Sequence, residues 1–263
     1  MRRIDYILIF LSCSVLLASE EENLLPVSSE NMPRAIRETA MPELGETRIE
    51  RILSRYYEDG LGGPENWEKV VSLKITGKLK TESGALELNA YQKKPDLIKM
   101  SLFQESGQNN LVLAYDGKVA WKQKGRQAEP EPMTETEARR FVHSARFGNY
   151  LLYPYAEGKR ISLVDTVPVE GAICHHIRVE LDTGYQVDYF IDIRSYLEIK
   201  IVNTDLRGGL TQSLIYKDYI RKFGMPIATK VKTSEDGEWV STLLIDEVKV
   251  NSGIMPWMFD MPG

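Results

Sequence analysis

The chain has 263 residues, 27% of them charged and 43% hydrophobic, with nineteen glycines and twelve prolines in no repeat. That is ordinary globular usage, and it excludes collagen, a disulfide scaffold and wholesale disorder. The net charge is −5, and removal of the first nineteen residues, which carry Arg2, Arg3 and Asp5, takes away a net +1 and leaves −6. Without a basic excess to grip phosphate backbones, nucleic acid is not an expected partner.

Residues 1–19 read as a secretory signal peptide: Arg2 and Arg3, then the apolar run YILIFLSCSVLLA, then small residues and an acidic stretch from Glu20 to Glu22. The run is shorter than the ~20 residues a spanning helix needs. A periplasmic location follows as the expectation. Cys13 lies inside the run behind Phe10, Leu11 and Ser12, a partial match to a lipoprotein signal, so the alternative is a protein anchored in the envelope through a lipid on Cys13. Once the signal is cut, Cys174 is the only cysteine left and no internal disulfide can form. Residues 20–45 hold three prolines and no sustained period, which predicts a flexible arm or linker.

From there to residue 263 a single domain is expected. Ile49, Ile52, Leu53 and Tyr56 at helical spacing predict a helix over 46–59, stopped by Gly60, Gly62 and Gly63, with a further turn from Pro64 through Trp67. The period then switches to two. Leu73, Ile75, Gly77 and Leu79 alternate with polar neighbours, as do Leu86, Leu88 and Ala90, then Ile98, Met100 and Leu102, then Leu111, Leu113 and Tyr115. Asp116-Gly117 predicts a tight type I′ hairpin. The alternation resumes after residue 158 and runs to 250, punctuated at Glu170-Gly171, Asp182-Thr183-Gly184, Gly208-Gly209 and Asp236-Gly237. The count is about eleven strands, antiparallel because hairpins join them. Between the two runs, Thr134 or Thr136 can cap a helix, with Glu137 completing a capping box on Thr134. Ala138, Phe141, Val142 and Ala145 make its apolar stripe, and Asn149 to Tyr153 suggests a second turn, so a helical hairpin over the sheet is expected.

No catalytic pattern stands out, and the chain is not expected to be an enzyme or to need a cofactor or metal. It lacks a nucleophile elbow, a phosphate loop and a zinc helix, and its histidines are His143, His175 and His176. His175 and His176 are adjacent in a strand, so they leave opposite faces and cannot chelate one ion together. His175 is expected inside the sheet with its nitrogens hydrogen-bonded.

An antiparallel sheet of this size must curl, and the concave face of an incomplete barrel becomes a container lined by every second residue. The candidate lipid-binding lining is Ile98, Met100 and Leu102, then Leu111, Leu113 and Trp121, then Phe141, Val142 and Ala145 of the covering helix. The same nine side chains could instead interlock as a dry core.

Several pieces, in order, resemble the outer-membrane lipoprotein-sorting (LolA/LolB-like) family. They are Tyr56-Tyr57 before the glycines and Trp67; Tyr91-Gln92-Lys93-Lys94-Pro95 leading to Ile98-Lys99-Met100; and Ala114-Tyr115-Asp116-Gly117-Lys118-Val119-Ala120-Trp121. Tyr189-Phe190-Ile191-Asp192, Tyr196-Leu197-Glu198-Ile199-Lys200, Tyr216-Lys217-Asp218-Tyr219 before Gly224-Met225-Pro226, and Trp257-Met258-Phe259-Asp260-Met261-Pro262 continue the series. The resemblance covers residues 46 to 263. It implies an α+β, mainly β fold: an antiparallel incomplete barrel covered by a helical lid over residues 134–153. It also implies a carrier that takes acyl chains of lipids or lipoproteins; a monomer with peripheral or transient membrane-protein contact is expected. The classical carrier fastens its lid through one arginine, for which Arg139, Arg140 and Arg146 are the candidates. The competing expectation is a non-catalytic envelope protein with a filled interior and a partner-binding edge strand.

Overall fold

The structure is a computed structural model that describes residues 41, 43–104 and 110–263. The signal peptide, Cys13 and nearly all of the arm lie outside the described residues.

The chain opens with α1 (Arg48–Arg55), a π turn (Tyr56–Gly60) and α2 (Pro64–Lys69). Strands β1 (Ser72–Thr81), β2 (Gly84–Lys93), β3 (Leu97–Phe103), β4 (Leu111–Tyr115), β5 (Ala120–Lys124) and β6 (Glu131–Pro132) follow, and then α3 (Glu135–Ser144). The remainder is β7 (Lys159–Val169), β8 (Ala172–Leu181), β9 (Tyr185–Asp192), β10 (Glu198–Asp205), β11 (Thr211–Lys222), β12 (Met225–Glu235), β13 (Glu238–Val250) and a C-terminal 3-10 turn (Pro256–Phe259). Thirteen strands are thus present among the described residues, against the eleven or so expected. The pairing of β6 is only Pro132 with Trp121 and Glu131 with Lys122, too short to show a period in sequence.

Two compact units divide these elements. The first comprises Val71–Phe147 and Val240–Gly263, with strand order β6-β5-β4-β3-β2-β1-β13. The second comprises Gly148–Trp239 and the described residues up to Val70, with order β12-β11-β10-β9-β8-β7. Every neighbouring pair within each unit is antiparallel. Among the described residues the end strands of neither unit pair with each other, so neither closes into a barrel.

Local chemistry explains the turns. Glu170-Gly171, Phe223-Gly224 and Asp236-Gly237 each have both φ angles positive and join strands through two residues, as a type I′ turn demands. Asp116-Gly117 does not. Only Gly117 has positive φ, the strands pair again at Tyr115 and Ala120, and Asp116 Oδ1 accepts from the amides of Lys118 and Val119 at 2.7 Å each. The aspartate side chain therefore builds a four-residue loop where a two-residue hairpin was expected. Between β1 and β13 the register shifts at Thr76/Gly77, and a Cβ on Gly77 would stand 2.2 Å from the Leu244 carbonyl oxygen. Only glycine permits that approach.

Both helical caps follow the expected chemistry. Thr47 caps α1 with Glu50, and Thr134 caps α3 with Glu137, each as a reciprocal capping box. The expected first helix is shorter than 46–59, because Tyr56–Gly60 widens into the π turn. Residues 149–153 form bends and turns, so the expected helical hairpin is one helix followed by irregular chain.

Candidate functional site

In the first unit, strand alternation separates an apolar face from a half-open polar one. Cross-strand register aligns Ile75, Ala90, Met100 and Leu113 in one row, and Gly77, Leu88, Leu102 and Leu111 in the next. A third row holds Gln92, Ile98 and Tyr115. These positions are buried. Residues of one parity on each strand must share a face, so the five strand aliphatics expected to line a cavity do lie side by side.

Trp121 does not join them. It pairs with Ala114, whereas its neighbour Lys122 pairs with Leu113, so the Trp121 ring leaves on the opposite face. There its Nε1 donates to the Phe259 carbonyl at 2.8 Å, beneath the C-terminal turn. Loops of two and of four residues leave the same parity, so the expected two-residue hairpin would also have set Trp121 apart from Leu111 and Leu113; the expectation applied alternation within each strand and did not carry it across the loop.

Lys122 shows which face α3 covers. Its Nζ reaches both carboxylate oxygens of Glu137 at 2.7 Å, with Glu131 at 3.7 Å. Because Lys122 shares the Leu113 face, α3 begins above the apolar rows. Burial pushes the Glu137 carboxyl up, but hydrogen bonds from Lys122 and the Thr134 backbone outweigh it and hold the pKa below the ordinary value. After α3, the Phe147 amide donates to Asp96 Oδ1 at 3.0 Å, in the turn between β2 and β3. Burial raises the Asp96 pKa, and the Arg146 charge and the Phe147 amide offset only part of that rise. The helix segment is thereby pinned at both ends, and Ala138, Phe141, Val142 and Ala145 between them are all buried. Of the three candidate latch arginines, Arg146 is the one that acts on Asp96.

The second unit contains a polar cluster that sequence reasoning missed. Tyr56 Oη donates to Glu198 Oε1 at 2.6 Å, and Asn149 Nδ2 donates to the same oxygen at 2.7 Å. Tyr219 Oη donates to the Glu198 carbonyl at 2.6 Å. Burial raises the Glu198 pKa, with the two side-chain hydrogen bonds opposing. Further bonds hold the following residues: Tyr57 Oη to the Leu151 carbonyl at 2.7 Å, the Tyr150 amide to Tyr189 Oη at 3.0 Å, and Lys159 Nζ to the carbonyls of Tyr150 and Leu152. These contacts fasten an irregular segment.

His176 and His175 diverge as alternation requires. His176 stacks on Phe190 at 4.6 Å and meets Asp188 Oδ1 at 2.6 Å. Burial raises the Asp188 pKa, but Arg178, His176 and Gln186 outweigh it and keep the pKa low. Cys174 lies on the same face, yet burial pushes its thiol up to about 11, so at neutral pH it is not a nucleophilic thiolate. His175 corrects the expectation of paired nitrogens: its Nδ1 is buried without a hydrogen-bond partner among the described residues.

No protein-family model and no curated protein matches the chain. Solved structures do. An outer membrane lipoprotein-sorting protein domain from Vibrio parahaemolyticus aligns over 80% of this chain and 95% of its own, with 10% identity and a TM-score of 0.56. A LolA superfamily protein from Nitrosomonas europaea aligns over 82% and 98%, with 11% identity and a TM-score of 0.55. The chain has the LolA-like fold. A DUF1329 family protein from Desulfovibrio piger aligns over the same shares, with 9% identity and a TM-score of 0.56. At such identities the likeness is one of architecture. A LolA-like fold, mainly β with few helices and an antiparallel sheet left open, agrees with the expected fold class. Among the described residues no helix is long and apolar enough to cross a membrane.

Proposed function

We propose that the protein is an exported, non-catalytic carrier of acyl chains, operating in the periplasm, with the apolar face of the first unit as the chamber wall and α3 as its cover. The observation that carries this reading is the mounting of α3. A continuous apolar face lies beneath a helix that is held at one end by Lys122–Glu137 and at the other by Asp96 and the Phe147 amide. Apolar contact between those anchors is non-directional, so the helix can lift and settle again without breaking a backbone ladder.

The magnitudes favour displacement by cargo. Burying about ten methylenes yields ~8 kcal/mol, whereas parting a buried ion pair costs ~3–5 kcal/mol. Two acyl chains can therefore open the cover and remain bound without any charged contact. On this reading Ile98, Met100, Leu102, Leu111, Leu113, Phe141, Val142 and Ala145 contact the chains, and Trp121 does not. Lipoprotein sorting, which the Vibrio domain's description names, is the specific form of the proposal.

The competing reading, a filled envelope protein that recruits a partner along an edge strand, finds a poor edge in β7. Its register shifts between Leu163 and Asp165, and Pro168 lies near its end. Bulges, charges and prolines are how natural sheets discourage edge pairing. The test is uptake of a fluorescent fatty acid by purified protein after lipid extraction. Saturable uptake is the expected result, and absence of uptake overturns the carrier.

A further inference from the structure

The face of the first unit turned away from α3 carries a row of lysines and rings. Register aligns Lys249, Lys74, Tyr91, Lys99, Ala114 and Trp121 across β13, β1, β2, β3, β4 and β5. Lys74 Nζ stands 5.7 Å from the Tyr91 ring centre, and Lys99 Nζ 5.3 Å from that of Trp121. Lys78, Lys80 and Lys93 fall on the same face by strand parity. Its carboxylates are Glu87, paired with Lys78, and Glu247, paired with Lys249, together with Asp246 at the bulge. Six lysines against these three acids and Asp260 of the C-terminal turn make a basic face on a chain whose net charge is −5.

The C-terminal turn lies across this row. Lys99 Nζ donates to the Met258 carbonyl at 3.1 Å, and Trp121 Nε1 to the Phe259 carbonyl. Phe259 and Ile254 are buried, while Met255 is 50% exposed, Trp257 69% and Met261 38%. The turn needs Phe259 to seat itself. It does not need a tryptophan and two methionines in water. Large apolar side chains with a polar tip, beside lysines whose stems can stretch, suit the boundary between acyl chains and headgroups.

We propose that this face docks on an anionic lipid bilayer, Trp257 and its flanking methionines entering the interfacial layer while the lysine row faces acidic headgroups. Charge complementarity selects the partner: the chain as a whole is repelled by such a surface, whereas this face is attracted to it. Because α3 covers the opposite face, docking leaves the proposed cover free. The inference goes beyond the carrier reading and does not depend on it.

The test is co-sedimentation of the purified protein with vesicles of equimolar phosphatidylcholine and phosphatidylglycerol, with fatty-acid uptake measured on the same samples. Wild type is expected to bind, and to release as salt is raised. Trp257→Ser should weaken binding on the order of tenfold, the effect of withholding one large side chain from the apolar layer. Trp257→Phe should largely restore it. Lys74→Gln and Lys249→Gln should each weaken binding about fivefold. All four variants should take up fatty acid as wild type does, so loss of uptake in wild type strikes the carrier reading alone. Wild type that ignores these vesicles, or Trp257→Ser that binds like wild type with an unchanged circular dichroism melt, overturns membrane docking.

Discussion

Lys122 on β5 and Glu137 on α3 meet at 2.7 Å with both side chains about nine-tenths buried, so the first turn of the covering helix is fastened by charge to the apolar face. Glu137 also serves the Thr134 cap, and one carboxylate thus both starts the helix and moors it.

Glu137→Gln should lower stability by about 3 kcal/mol at neutral pH, because Lys122 is left buried with only the longer contact to Glu131. The sign of the pH effect follows from the lowered pKa. Stabilisation from a depressed carboxylate is present above its unfolded value and is lost as pH falls through its folded one. Urea titrations across the acid range should show this loss in wild type and not in the variant.

Asp96 behaves in the opposite sense. Its raised pKa means that its contribution is present at low pH and is lost as pH rises through the folded value. Asp96→Asn keeps an oxygen for the Phe147 amide and removes the ionisation. It should match or exceed wild-type stability at neutral pH, whereas Asp96→Ala should cost about 1–2 kcal/mol by leaving that amide unpaired. Thermal melts of the two variants beside wild type decide the matter.

Much of this arrangement was legible in the sequence. Period-two alternation located the strands, and the Thr134 and Glu137 spacing located α3 and its cap. The fold class followed from hairpins joining strands, which force antiparallel pairing. What was not legible depended on contacts between distant residues. Lys122 carries no local mark of its partner fifteen residues on, and Asp96 looks like any turn aspartate. Trp121 was assigned to the wrong face because alternation was read within each strand and not carried across the loop, where an even number of residues sets Trp121 opposite Ala114 and Lys122 opposite Leu113. The Glu198 cluster joins residues far apart in sequence, which no local pattern marks.

In the second unit, Glu198→Gln should preserve the bonds from Tyr56 and Asn149 and flatten the stability profile, since a raised carboxyl pKa loses stability as pH rises through it. Glu198→Ala should cost about 2 kcal/mol and loosen residues 149–152. Hydrogen exchange at the Tyr150 amide, which donates to Tyr189, reads that loosening directly.

Phe141 is fully buried in the middle of α3. Phe141→Asp places a charge beneath the proposed cover and should abolish fatty-acid uptake while the β circular dichroism signal survives, because the strand ladders do not pass through the helix. Phe141→Leu should retain uptake with a modest loss of stability. Normal uptake by the aspartate variant removes α3 from the mechanism.

Native mass spectrometry of protein exported by a bacterial host asks whether acyl chains are held at all. The carrier reading predicts species heavier than the bare polypeptide by the mass of one or more lipids, which organic extraction removes. A single species at the bare polypeptide mass, from protein that also fails to take up a fluorescent fatty acid, contradicts it.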